Sequence, residues 1–192
     1  MNLTTTFPIP AAPALMNHQS RVLAMGSCFA ASMGSRLSKL PLEVMTQPFG
    51  TLFHPFAITR ALSGEVSEDL YEHGGYFLHP DYHSVFTSNS SADLVEDIRS
   101  VATEVVDFKT SADFLILTWG TSFSYFDKHL NKTVANCHKM PSDRFEKRLS
   151  TVDEIVSNFC SLLSTLPSTT QVVLTVSPVR HTKDGMTENQ VS

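Results

Sequence analysis

The stretch "RVLAMGSCFAASMGSRL", from Arg21 to Leu37, decides how the rest of the chain is read. A short apolar run, Val22 to Met25, stops at Gly26, and Ser27 and Cys28 come directly after it. Ala30, Met33 and Leu37 then recur at spacings of three and four, the period of a helix face. The segment therefore reads as strand, sharp turn, helix. In open parallel sheets, ligands bind beyond the carboxyl ends of the strands. A serine and a cysteine side by side at such a turn raise the question of whether either is a nucleophile.

Working outward, three more apolar runs read as strands: Leu42–Thr46, Phe114–Trp119 ("FLILTW") and Gln171–Val176 ("QVVLTV"). The run at Phe114 is almost continuously apolar, as suits a parallel strand covered on both faces. Helical patterns lie between them. Leu94, Ile98, Val101 and Val105 share one face of "DLVEDIRSVATEVVDF". A longer stripe, including Phe145, Leu149, Val152, Val156 and Phe159, predicts one helix over Asp143–Leu166. Asp143 and Glu146 would cap its start and Pro167 would end it. Strands alternating with helices favour a mostly parallel sheet joined by right-handed crossovers. Residues 1–20 read as a Pro-punctuated arm and residues 21–192 as a single domain. The irregular stretch from Pro48 to Ser91 is expected to cross the functional edge of the sheet.

The bulk numbers narrow the function. A net charge of −5 offers no electrostatic case for nucleic acid, and no apolar run is long enough for a bilayer. The first twenty residues lack the basic and apolar regions of a signal peptide. Cys28, Cys137 and Cys160 are too few and scattered for a disulfide framework, so a cytoplasmic location is expected. Cys137 and His138, adjacent on an extended chain, would point to opposite sides, and no further ligand spacing supports a metal. Neither metal nor cofactor is expected.

The residues at the carboxyl end of each strand say most about function. The first strand leads into Gly26, Ser27 and Cys28, the second into Gln47, Pro48, Phe49 and Gly50. The third leads into Gly120, Thr121 and Ser122, and the fourth into Ser177, Pro178, Val179, Arg180 and His181. Cys28, at a helix N-terminus that favours a thiolate, is an alternative nucleophile, but it is expected to turn into the core, leaving Ser27 as the exposed hydroxyl and, failing chemistry, as a helix cap. His83, two residues beyond Asp81 in "DYHSVF", is an alternative base if the two share one face of a strand.

The string "GSCFA" (Gly26–Ala30) together with "PFGTLFHPFAI", "DYHSVF", "LTWGTSFSY", "ANCHKMP" and "SPVRHTKDGMTENQVS" resembles the GSCFA domain family, grouped with the SGNH/GDSL esterase superfamily. The resemblance implies a three-layer α/β/α sandwich of flavodoxin-like type with at least four parallel strands. It implies ester hydrolysis or acyl transfer through an acyl-Ser27 intermediate. The oxyanion would be held by the N–H groups of Ser27 and Gly50. Where superfamily members carry Gly-x-Asn, this chain has Gly120-Thr121-Ser122, so Ser122 would offer a hydroxyl in place of the amide.

Superfamily members also carry Asp-x-x-His after a fifth strand. No such motif occurs after the fourth strand here, so the last strand and the base are expected to lie outside a shortened sequence. His181 is then the best base within the chain, beside Arg180. The bland reading of the pair is substrate binding or loop orientation. His138 and Lys139 are expected to reach toward a polar or anionic group, with Gly120 and Thr121 lining the substrate. The expected partner is a small-molecule or carbohydrate ester. A sheet edge left open would invite pairing into a homodimer. The competing function is a non-catalytic domain that binds a glycan or anionic ligand through Arg180, His138, Lys139 and Trp119.

Overall fold

The computed structural model describes Pro8, residues 10–12 and residues 14–177. Its centre is a four-stranded parallel sheet built from β1 (Arg21–Gly26), β2 (Glu43–Thr46), β6 (Phe114–Trp119) and β10 (Gln171–Val176), in the order β10-β6-β1-β2. Taken in chain sequence, these strands lie second, first, third, fourth. The order therefore reverses between β1 and β6, and that crevice is where a doubly wound sheet takes ligands. The register runs from Val22↔Phe114 to Gly26↔Thr118, and from Gln171↔Phe114 to Val176↔Trp119.

The two middle strands are apolar on both faces because both faces are covered. Val22 to Met25 are wholly buried, and Phe114 to Leu117 nearly so. On one face, Val22, Ala24, Phe114 and Ile116 pack with Leu37 of α1 (Cys28–Leu37) and with Ala14 of the arm. On the other, Leu23, Met25, Leu115 and Leu117 meet α2 (Pro55–Ser63), α3 (Ser91–Thr110) and α4 (Val152–Leu163). Gly34 of α1 lets that helix come down on β2, since a Cβ there would lie 2.0 Å from Thr46 Oγ1. β10, at the edge, is apolar like β6 but leaves Val173, Leu174 and Val176 well exposed. None of the helices among the described residues is long and apolar enough to cross a membrane.

Two small antiparallel sheets complete the fold. One is β3 (Tyr71–His73), β4 (Tyr76–Leu78) and β5 (Thr87–Ser88), within the irregular stretch. The other has β7 (Phe123–Asp127) between β8 (Lys132–Val134) and β9 (Phe145–Leu149). β9 corrects the expectation of a single helix over Asp143–Leu166. Phe145 to Leu149 pair with Asp127 to Phe123 instead, a tertiary partner that outweighs the local helical spacing. The helix begins at Val152, and its capping box is Thr151 with Glu154, not Asp143 with Glu146.

Buried ionic clusters tie these sheets to the core. Asp127 has no exposure; it takes both short bonds of Arg144 Nε (2.9 and 2.8 Å) and the Tyr71 hydroxyl (2.7 Å). The backbone N–H groups of His129 and Leu130 also donate to it. These donors hold its carboxyl down at about 2 against the opposing effect of burial.

Candidate active site at the strand-order reversal

Gly26 carries the turn leaving β1. Its φ is +128°, and a Cβ there would lie 2.2 Å from the Thr118 carbonyl oxygen, so only glycine fits. Ser27 comes next in extended conformation and caps α1, its Oγ accepting from Phe29 N–H at 3.3 Å. The hydroxyl does not project into solvent. Ser27 is 4% exposed, and its Oγ lies 2.9 Å from Thr118 Oγ1 on the neighbouring strand. Its N–H, expected to face an oxyanion, donates to Thr118 O and Thr118 Oγ1, both at 2.8 Å. Cys28 also differs from expectation: it is exposed, and α1 turns Ala30 and Gly34 inward instead.

The second turn interlocks with the first. Gln47, whose backbone is left-handed at φ +47°, accepts from Gly26 N–H at 3.0 Å through Oε1. Its Nε2 donates to Gly26 O and Ser27 O, both at 2.8 Å. Gly50 (φ +73°) donates its N–H to Gln47 O at 2.8 Å, closing this turn. The Gly50 hydrogen is thus also engaged within the protein. Leu52 N–H donates to Gly26 O at 2.9 Å, so both turns form one hydrogen-bonded block at the end of β1. Neither Gln47 nor Thr118 stood out in the sequence. The signals were a glutamine directly after an apolar strand and a lone hydroxyl inside "FLILTW".

His83 packs against Gly50, with Cβ and Cγ occupying the space a side chain at 50 would need. It is not oriented by Asp81 on a shared strand face. The Asp81 carboxylate is taken by Arg60 and by Lys132 Nζ (3.0 Å), while His83 Nδ1 accepts from Val85 N–H at 3.2 Å.

The third loop is pinned from behind. Gly120 donates its N–H to Phe53 O at 2.9 Å. Ser122 O accepts from Ser150 N–H (3.0 Å) and from His54 Nε2–H (3.2 Å). His54 Nδ1 accepts from Phe56 N–H at 3.1 Å, so Nε2 carries the proton and also donates to Ser150 Oγ at 3.0 Å. That tautomer cannot deprotonate Ser150, and the pair is a structural cap for α2. Burial lowers the His54 pKa to about 4, ahead of a smaller opposing effect from the Ser122 carbonyl.

His138 and Lys139 lie in a tight turn with left-handed backbone at both residues. His138 does not reach outward; it is buried and donates Nε2–H to His79 O at 2.8 Å. Desolvation, the largest influence, lowers its pKa. Lys139 is exposed. Arg180 and His181 lie outside the described residues. No group of three or more His, Cys, Asp or Glu suited to a metal occurs among the described residues.

One cavity opens beside this site. It measures about 280 Å³ at the carboxyl ends of β6 and β10, on the α4 side of the sheet. Trp119, Val152, Ile155, Val156, Val176 and Pro55 form its apolar wall, and Gly120, Thr121, Ser122 and Ser177 are its polar lining residues. Trp119 is held there edge-on to Phe159, with ring centroids 5.3 Å apart.

No curated protein and no solved structure showed a significant match to the chain. A family model does match, over residues 21–192, from the first strand of the parallel sheet onward and including the Gly26–Ser27 turn; the chain belongs to the GSCFA family.

Proposed function

We propose that this protein is a serine ester hydrolase or acyl transferase of SGNH type, with a flavodoxin-like three-layer fold and Ser27 as the acyl acceptor. The observation that carries the reading is the position of the Gly26–Ser27 turn. It stands at the carboxyl end of a central strand, ahead of a helix N-terminus, where the strand order reverses. In the reaction, Ser27 Oγ bonds to the ester carbonyl carbon as its proton passes to a base, for which His181 is the candidate. The alcohol leaves with that proton, and water or an acceptor alcohol then cleaves the acyl-serine ester. Ser27 Oγ must first leave Thr118 Oγ1, exchanging a hydrogen bond of roughly 1 kcal/mol for one to the base. Gly120, Thr121 and Ser122 line the approach, with Arg180 and Lys139 as candidate contacts for the leaving group. An acylated carbohydrate or a small-molecule ester is the proposed substrate.

A specific observation favours a second reading, binding without turnover. The Ser27 hydroxyl is buried against Thr118, and the N–H groups of Ser27 and Gly50 are already engaged. Hydrolysis of p-nitrophenyl acetate by the protein and by Ser27→Ala separates the two. Turnover lost in Ser27→Ala supports the esterase. Turnover that survives the substitution, or none in either protein, refutes it and leaves the binding domain.

A further inference from the structure

We infer that the cavity between α4 and the edge strand β10 is the seat of an unbranched apolar acyl chain of about eight carbons. The inference rests on the ester reading and deepens it by naming the acyl half of the substrate. Among the described residues, the cavity wall carries no ionisable group. The apolar side chains of Trp119, Ile155, Val156 and Val176 converge on it from the sheet and the helix. Its polar residues, Gly120, Thr121, Ser122 and Ser177, directly follow β6 and β10, and β6 is the strand beside β1. Such a division suits a molecule with a carbonyl or carboxylate head and a hydrocarbon tail. The volume sets the length: about 280 Å³, at about 30 Å³ for a water-sized group, holds roughly nine heavy atoms.

The placement agrees with the chemistry. β1 and β10 are two strand spacings apart, roughly 10 Å at about 4.8 Å each. A head group near the Ser27 turn can therefore send its tail across the end of β6 into the cavity. Exposure points the same way. Val152, Val156 and Val176 are each more than half exposed, although they border one another across α4 and β10. A hydrocarbon tail would cover them, whereas a sugar would leave their apolar surface unmatched.

Trp119 is the only tryptophan in the chain, so its fluorescence reports on the cavity directly. Titration with octanoate, below its micellar range, is expected to give a saturable change with an affinity at least 100-fold tighter than for acetate. Val156→Glu, a substitution at a half-exposed position of α4, should weaken octanoate at least tenfold with circular dichroism unchanged. No saturable response to octanoate in the folded parent, or equal responses to octanoate and acetate, overturns the inference. So does light scattering that shows a dimer which Val156→Glu converts to monomer, because a second copy would then own this face. A response to octanoate without Ser27-dependent ester turnover upholds the cavity and refutes only the hydrolase reading.

Discussion

Removing the Gln47 side chain tests whether the Ser27 turn is held by that residue or by the strand alone. Gln47→Ala deletes three hydrogen bonds, of 3.0, 2.8 and 2.8 Å, to Gly26 N–H, Gly26 O and Ser27 O. At about 0.5–1.5 kcal/mol each, and with water replacing part of what is lost at this half-buried site, the cost should be roughly 2–3 kcal/mol. Gln47→Gly loses the same bonds. It also relieves a left-handed backbone, φ +47°, a conformation that costs a residue with a Cβ about 1–2 kcal/mol. The glycine variant should therefore be about 1 kcal/mol more stable than the alanine variant. That order is the reverse of what glycine and alanine give in ordinary secondary structure. Urea unfolding tracked by circular dichroism measures both values. Hydrogen exchange at the Ser27 and Leu52 amides should speed up in both variants, since each hydrogen bond ends on the block that Gln47 clamps. A loss under about 0.5 kcal/mol for Gln47→Ala, or a glycine variant no better than the alanine, would refute the clamp.

Three further predictions concern the frame around the site. The pKa of His54 is lowered from 6.5 to about 4, chiefly by burial, with His79 and His138 lowered for the same leading reason. The unfolded chain therefore takes up protons first as pH falls. Stability present above about pH 6.5 should be lost toward pH 4, with His54 contributing up to about 3 kcal/mol. The urea midpoint should drop between pH 7 and 4.5, and less steeply in His54→Asn; a slope unchanged by the substitution would contradict this. Gly34→Ala should cost about 1–3 kcal/mol by forcing α1 off β2, and Thr46→Ala should restore part of it, because Thr46 Oγ1 and Cγ2 are the nearest atoms met. Additive costs in the double variant would rule that contact out. Asp127→Ala should destabilise by about 2–4 kcal/mol, since it leaves the half-buried Arg144 and the buried Tyr71 hydroxyl without their carboxylate. An unchanged melting temperature would show that the cluster bears none of the fold.

The four parallel strands are legible in the sequence because each is an apolar run whose pattern survives in any surroundings. Phe114–Trp119 and Gln171–Val176 occur with the bounds that their composition implies. The start of α1 after Gly26 is equally plain, since only a turn admits that glycine. Phe145–Leu149 passes for helix because its two apolar ends, four residues apart, satisfy a helix stripe and a strand face alike. β7, from earlier in the chain, makes the choice by offering a backbone to pair with. The three buried histidines are visible as residues but not as structural ones, because their partners are carbonyl groups and serines brought in by other elements.

By itself the sequence determined where the chain must turn and which segments must be covered: a glycine at 26, and central strands made almost wholly of apolar residues. Tertiary structure alone decided what the Ser27 oxygen meets. Its neighbour Thr118 is 91 residues distant and the clamp on its turn, Gln47, is 20 away. A hydroxyl rotates to whatever partner the fold brings near, and spacing along one strand carries no record of that partner.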